Sequence, residues 1–418
     1  MGVKMKVNVV DSIMGSGKTS AAINYIKKSG KSKRFLYVTP YLSEVERIQT
    51  ECGAKNFMEP QNFGRKLNGL KLLLKNKANI VTTHALFQLF DEETIKLCRD
   101  NDYVLIMDEV ANVVDQYSIG REDARILLEK FVTIDESSGV LKWREDQKNY
   151  KDEKFAKEKH LCEMNSLVCY GGAIMLWMFP VNIFKAFRES YILTYMFNAQ
   201  LQKYYYEFNG IEYEYLSVGG DSVDNYYFTK EKIDRVSCYN YKELINILTS
   251  RRMNDIGEGR YALSRAWYEK NKGKGPMETL RKNTYNFFTN KVKIVNPKTG
   301  VYGPSCSSNN IWTTFKDFEN DLSGKRYSNR FVPSNMRATN DYKDCGAVAY
   351  LVNKFFNPNI KQFFIAHGIT VDEDAYATSE MLQFLWRSAI RQGKPITVYI
   401  PSSRMRSLLK KWIAENSL

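Results

Sequence analysis

The sequence holds no apolar run long enough to cross a membrane, no paired Cys-x-x-Cys, three histidines and no repeat or low-complexity tract. The best membrane candidate, "GGAIMLWMFPVNIF" at 171–184, falls short of the roughly 18 apolar residues a spanning helix needs and carries Pro180 and Asn182. It reads as buried core, and no membrane partner is expected. The seven Cys are scattered, which suits free thiols in a reducing cytoplasm. His160, Cys162 and Cys169 could hold zinc only with a fourth ligand, and none is evident. His84 and His367 have no evident partner for acid–base work. The opening "MGVKMKVNVVDS" runs straight into a strand, with neither a leader pattern nor the Ser or Thr of a myristoylation site.

What is present is an ordinary folded composition, 44% apolar, in 418 residues, enough for two or three cores. Lys and Arg exceed Asp and Glu by 61 to 47, giving +14, which favours a polyanionic partner, nucleic acid first.

The first 200 residues alternate strand-like and helix-like segments. Strands are expected near Lys6–Val10, Arg34–Thr39, Asn79–Thr83, Tyr103–Asp108 and Tyr191–Met196, with helices between them, as at Ser20–Lys28 and Ser43–Glu51. That rhythm predicts an α/β fold, a mostly parallel sheet with helices on both faces. Residues 114–170 break it with the charged "WREDQKNYKDEKFAKEKH" and read as a helical or loop insertion. A second alternating block places strands near Asn310–Thr314, Arg330–Pro333, Ala347–Val352 and Pro395–Ile400. Its helices are expected at Met277–Asn290, Ser379–Arg391 and Ser402–Ala414. The Gly-Gly and Asp/Ser turn signals of "EYLSVGGDSVDNYYFTKE" put a linker at 216–230, between domains at 1–215 and 231–418.

"VNVVDSIMGSGKTSAAINYI", from Val7, is an apolar strand, a small-residue turn and a helix. It fits the phosphate-loop pattern G-x-x-x-x-G-K-[ST] except that Ser12 takes the first glycine's place. Gly15 and Gly17 let backbone N–H groups face phosphates, and the helix start adds unpaired N–H groups and a positive dipole end. Lys18 would reach the terminal phosphates, and the Thr19 hydroxyl would bind Mg²⁺. A second element, "YVLIMDEVAN" at 103–112, is an apolar strand ending in Asp108-Glu109. It sets two carboxylates at the carboxyl edge of the sheet, where open α/β folds bind ligands. Asp108 would hold Mg²⁺, and Glu109 would orient and activate the attacking water. Together they predict hydrolysis of a nucleoside triphosphate.

In the second block "SEMLQFLWRSAIRQG", 379–393, spaces Gln383, Arg387 and Arg391 at i, i+4 and i+8, one face of a helix. Arginines near a γ-phosphate stabilise the charge that develops in transfer.

At this point the chain resembles the superfamily 2 helicases of the DEAD/DEAH-like kind, motors of two RecA-like domains. "SIMGSGKT" resembles motif I, "VTPYLSEVERI" (38–48) motif Ia, "VTTHALF" (81–87) motif Ib and "DEVA" (108–111) motif II. "LTYMF" (193–197) sits where motif III would be, without its S/T-A-T. "IWTTFK" (311–316) resembles motif IV, "FVPSNMRATND" (331–341) motif V, and "QFLWRSAIR" motif VI with Trp386 in place of Gly. Small phage and mobile-element helicases and herpesvirus origin-binding helicases show a similar combination. The resemblance implies ATP and Mg²⁺ as cofactors. ATP would lie against Met14, Gly15, Ser16, Gly17, Lys18, Thr19, Ser20 and Asn340. Single-stranded or forked nucleic acid, DNA before RNA, would be gripped near Thr39, Pro40, Thr83, His84, Thr313, Thr314, Asn335 and Arg337. It also implies a cytoplasmic monomer working beside replication proteins.

Two other classes fit parts of the pattern. A terminase-type packaging motor shares the phosphate loop and the Asp-Glu, but 231–418 shows no clustered acidic residues at strand ends. An ATP-switched adaptor would bind without turnover. Elsewhere, Tyr204, Tyr205 and Tyr206 cannot all face one way on a helix, so one could be exposed, with packing the better reading. Trp386 is expected to pack its helix against the second sheet. The tail "SSRMRSLLKKWIAENSL" reads as a capped amphipathic helix that closes the domain.

Overall fold

The computed structural model describes residues 6–151, 153–234, 236, 238–295, 302–304, 308–334 and 341–417. The chain falls into two compact units. The first comprises Met1–Asp11, Gly17–Lys232 and Asn357–Val371; the second comprises Ser12–Ser16, Ile233–Phe356 and Asp372–Leu418.

Strands β1 (Lys6–Asp11), β2 (Arg34–Thr39), β3 (Phe57–Met58), β4 (Asn79–Thr83) and β5 (Tyr103–Asp108) form where apolar, β-branched runs are bounded by turns. An insertion carries β6 (Val114–Gln116), β7 (Val132–Ile134), β8 (Leu141–Trp143), β9 (Leu167–Tyr170) and β10 (Ile174–Met178). The main sheet resumes with β11 (Glu189–Thr194), β12 (Tyr213–Gly219) and β13 (Tyr227–Thr229). Its order is β13-β12-β1-β11-β5-β2-β4-β3, eight strands among the described residues. Every pairing is parallel except β12 with β13. Central strands are buried on both faces, as a parallel sheet covered by helices requires. Helix α1 (Lys18–Lys28) packs Ala21, Ala22 and Ile26 into a core with Val10, Tyr37 and Ile106.

The stretch expected as a linker is thus sheet edge: β12 pairs with β1 over Val7–Val10, and the turn signals make the β12–β13 hairpin. The reason is periodicity. Leu216 and Val218 alternate inward onto the α1 core, which a short strand can do as well as a linker cannot.

The insertion is a mixed α and β unit rather than helix and loop alone. It holds an antiparallel sheet β6-β10-β9, a hairpin β7-β8, the helix Ala156–Glu163 and its own core of Leu127, Val132, Phe155, Leu167 and Met175. The apolar 171–184 stretch is strand and buried turn, as its burial predicted. Among the described residues no helix is long and apolar enough to cross a membrane.

Helix Leu201–Phe208 buries Tyr204, Tyr205 and Tyr206 together, at 1%, 0% and 0% exposure. Neighbours on several sides explain this. Tyr204 meets Phe364 of the helix Pro358–Ala366, Tyr205 Oη donates to the Phe179 carbonyl at 2.7 Å, and Gln202 Nε2 donates to Tyr206 Oη at 2.8 Å.

Unit two contains β14 (Ile245–Ile247), the hairpin β15 (Lys293–Val295) and β16 (Tyr302–Pro304), β17 (Asn310–Thr313), β18 (Ala347–Tyr350) and β19 (Ile396–Tyr399). Four of these form a parallel sheet in the order β14-β19-β18-β17. The α/β expectation, parallel sheets flanked by helices, holds in both units. Arg330–Pro333 is not a strand; Phe331 makes one isolated bridge to Trp312 beyond a single turn at Ser328–Arg330. Helix Ser403–Asn416, capped by the Ser402 side chain, buries Met405, Leu409, Trp412 and Ile413 and closes the unit.

Candidate functional site

β1 and β5 both end in a carboxylate at the carboxyl edge of the first sheet, and the loop after β1 turns into α1. Gly15 and Gly17 take φ of +84° and +89°, a left-handed backbone open chiefly to glycine. A Cβ on Gly17 would also meet the Tyr226 ring at 2.5 Å. The Ala21 amide donates to the Gly17 carbonyl at 2.8 Å, starting α1 with Lys18 and Thr19 in its first turn.

Thr19 Oγ1 donates to Asp108 Oδ2 at 3.3 Å, joining the two sequence motifs directly. Tyr37 Oη donates to the same oxygen at 3.4 Å. Burial pushes the Asp108 carboxyl up to about 7, with the Glu109 and Glu44 charges adding to it and Lys18 opposing. Such a carboxylate is electrostatically short of cations. The separation of the Thr19 and Asp108 oxygens is close to the roughly 2.9 Å between neighbouring oxygens around an octahedral Mg²⁺. Hard oxygen donors, a crowded negative charge and a lysine at a helix start fit a nucleotide with its Mg²⁺.

Glu109 sits at φ +64°, unusual for a residue with a side chain, with its amide donating to the Leu193 carbonyl at 2.9 Å. The backbone therefore turns sharply between the two carboxylates. Ala111 N donates to the buried Gln202 Oε1 at 2.8 Å, fixing the far side of that turn.

Three participants were missed by the sequence reading. Asp11 ends β1 and accepts from the Met196 and Phe197 amides at 2.8 and 2.9 Å, tying the segment after β11 to the start of the phosphate loop. Burial raises its carboxyl, while those amides and Lys18 pull it down. The signal was available: "VNVVD" has the same form as "VLIMD". Tyr37, read only as strand core, is the second. The third is a link, His84 Nε2 to the Asp108 carbonyl at 2.8 Å, which gives that histidine the partner it lacked in sequence.

The expected nucleic-acid residues are placed variously. Thr39, Thr313 and Thr314 are 0–1% exposed, so their hydroxyls lie inside the fold rather than on a surface. The strands that hold Thr39 and Thr313 are buried on both faces, which outward-facing grips would not allow, and Thr314 directly follows the second. The Thr83 side chain accepts from the Leu86 amide and caps the helix His84–Phe87. Pro40, next to Thr39 in sequence, is half-buried. Asn335, Arg337 and Asn340 lie outside the described residues.

In unit two the expected continuous helix through Arg391 is corrected. The helix is Glu373–Leu385, and a separate short turn, Ala389–Gln392, follows. Trp386 is anchored between Tyr241 and Trp412, with centroids at 5.6 and 5.3 Å, rather than against the sheet. Ser388 Oγ donates to the Leu385 carbonyl at 2.6 Å, which ends the helix. Gln383, Arg387 and Arg391 therefore do not share one helical face. Arg387 is 3% exposed; its Nη1 donates to the Pro333 carbonyl at 3.2 Å and its guanidinium lies 5.5 Å from the Phe384 centroid. Gln383 and Arg391 are half-buried. Among the described residues no group of three or more potential metal ligands is found, so His160, Cys162 and Cys169 form no zinc centre.

Residues 4–137 match the family described as type III restriction enzyme, res subunit. Residues 114–177 match the YonV middle domain and residues 239–413 the YonV C-terminal Rossmann-like domain. The chain is 38% identical over 421 residues to the SPbeta prophage-derived uncharacterized protein YonV of Bacillus subtilis (strain 168), covering 98% of each. Similar solved structures include an XPD helicase, at 14% identity, TM-score 0.44 and 99% and 96% coverage of this chain and that one. Xpd4 of S. tokodaii stands at 12% identity, TM-score 0.44, covering 97% and 94%. The chain belongs to the YonV family, with a type III restriction enzyme res-subunit match at its first domain and a Rossmann-like second domain.

Proposed function

We propose that this protein is an ATP-dependent motor that moves along or opens nucleic acid, DNA before RNA. The observation that carries the reading is the junction of Thr19 with Asp108 beside Lys18 and Glu109, at the carboxyl edge of a parallel sheet. Mg²⁺ there would supply charge neutralisation for the β- and γ-phosphates. The protein's own groups do the rest. Lys18 neutralises phosphate charge, and the backbone N–H groups of Gly15–Thr19 cradle it. Glu109 accepts a proton from the attacking water, its position fixed by the left-handed turn after Asp108. Arg391 stabilises the charge on the transferred group, with Gln383 supporting it; Arg387 holds the Pro333 segment in place. Asp11 transmits changes at Lys18 to the segment Met196–Phe197, the role that motif III has in the family.

The prophage origin of the relative supports work on a phage or mobile-element genome, in replication or recombination. A net charge of +14 supports a polyanionic track. A cytoplasmic monomer assisted by replication proteins completes the reading. The test is ATP hydrolysis with and without single-stranded DNA or RNA, beside Lys18→Ala and Arg391→Ala. Stimulation by one nucleic acid, abolished by both substitutions, supports the motor. Binding of ATP without turnover under every condition replaces it with the switch-like adaptor.

A further inference from the structure

A cavity of about 330 Å³ opens in unit one among α1, β1 and the β12–β13 hairpin. Its size is at the small end of ligand pockets, suited to a mononucleotide-sized molecule. Tyr25, Tyr191 and Phe228 form one wall. Tyr191 and Phe228 stack at 5.1 Å and 20°, and Tyr25 lies 4.9 Å from Tyr191. Asn8 lines the cavity from the middle of β1 and is 0% exposed. Its Nδ2 donates to the Ser190 carbonyl at 3.2 Å, but its Oδ1 has no hydrogen-bond partner among the described residues. A buried amide oxygen left unpaired costs about 1–3 kcal/mol, so the site is built to meet a donor.

The rim is positive. Lys6 and Lys230 both reach Glu214, at 2.9 and 2.7 Å, so one carboxylate is shared between two ammonium groups. Lys28, exposed at the end of α1, has no ion-pair partner among the described residues. Three lysines against one glutamate leave the mouth with an excess of positive charge. Aromatic faces, one buried acceptor and a cationic rim are complementary to a flat ring with an N–H donor and an anionic tail.

We propose that this cavity is a second, non-hydrolytic site for a nucleoside monophosphate unit bearing an amino-substituted base. The base lies along the tyrosine wall with its amino group donating to Asn8 Oδ1, and the phosphate meets Lys28 at the rim. The unit comes either from a free mononucleotide or from the end of a single strand. The inference does not depend on hydrolysis at the phosphate loop.

The experiment is calorimetric titration of the full chain with AMP, without Mg²⁺, for the wild type and for Lys18→Ala, Lys28→Glu and Asn8→Leu. One-site binding that survives Lys18→Ala and weakens about tenfold in both Lys28→Glu and Asn8→Leu is expected. Lys28 is exposed, so that variant reads binding even if Asn8→Leu fails to fold. Displacement of AMP by a 16-nucleotide oligo(dA) would name the strand end as the source; no displacement would name the free nucleotide. The proposal is overturned if AMP does not bind at millimolar concentration, if Lys18→Ala abolishes binding, or if Lys28→Glu leaves the affinity unchanged. Loss in Lys18→Ala would mean the phosphate loop is the only nucleotide site, and would leave the motor reading intact.

Discussion

Asp108→Asn is expected to stabilise the nucleotide-free protein while abolishing hydrolysis. The native carboxyl titrates near 7 rather than its ordinary 3.8, because burial and the Glu109 and Glu44 charges disfavour its ionised form. Between those values the native state holds a proton that the unfolded chain has released. Wild-type stability therefore falls as pH rises through this window and stays low above it. A shift of about three units at 1.36 kcal/mol each sets a ceiling on the order of 4 kcal/mol; water at the half-buried residue reduces this to about 2–4 kcal/mol. Asparagine cannot ionise and fills nearly the same volume. At pH 5 only about a third of the window has been crossed, so the gain there is about a third of that at pH 7.5. The assay is thermal unfolding of both proteins in EDTA at the two pH values, with ATP hydrolysis measured in parallel. A variant no more stable than wild type at pH 7.5, or a gain equal at both pH values, would refute the electrostatic account of this site.

The two arginines of the second unit separate by the same logic. Arg387→Ala removes a buried guanidinium from the Pro333 carbonyl and should lower stability by about 2 kcal/mol, seen in denaturant unfolding. Arg391→Ala should leave unfolding unchanged within about 0.5 kcal/mol and cut hydrolysis at least a hundredfold, seen in kcat. Trp386→Ala empties a site enclosed by Tyr241 and Trp412 and should cost about 3–5 kcal/mol, read as a lower melting temperature. For Asp91, burial alone would raise the carboxyl, but Lys71 at 2.6 Å and the Thr94 amide at 2.9 Å hold it below its ordinary value. Its stabilisation is therefore present above about pH 4 and lost as pH falls through the native value. Asp91→Ala should cost about 1 kcal/mol at pH 7 and progressively less as the pH falls below about 4, measured by denaturant unfolding.

Local chemistry was legible wherever one segment carries its own instructions. The strand before the phosphate loop, its two left-handed glycines, α1 and the strand ending at Asp108 follow from apolar runs and turn residues that act over a few positions. The same holds for the Ser402 cap and the buried face of the last helix. Tertiary structure decided the rest, because each such feature depends on what arrives from elsewhere in the chain. The glycine-rich 216–230 stretch became sheet edge because β1 offered it an unpaired flank. The helix before Arg387 stopped at Leu385, where Ser388 took the last carbonyl and Trp386 found Tyr241 and Trp412, distant in sequence. Tyr204, Tyr205 and Tyr206 all went inside because Phe179 and Phe364 reached them from two directions. Asp11 and His84 gained their meaning from amides and a carbonyl 185, 186 and 24 residues away. Sequence by itself determined which groups could do phosphate chemistry; only folding determined which of them stand together, since proximity across a sheet is set by strand order and not by distance along the chain.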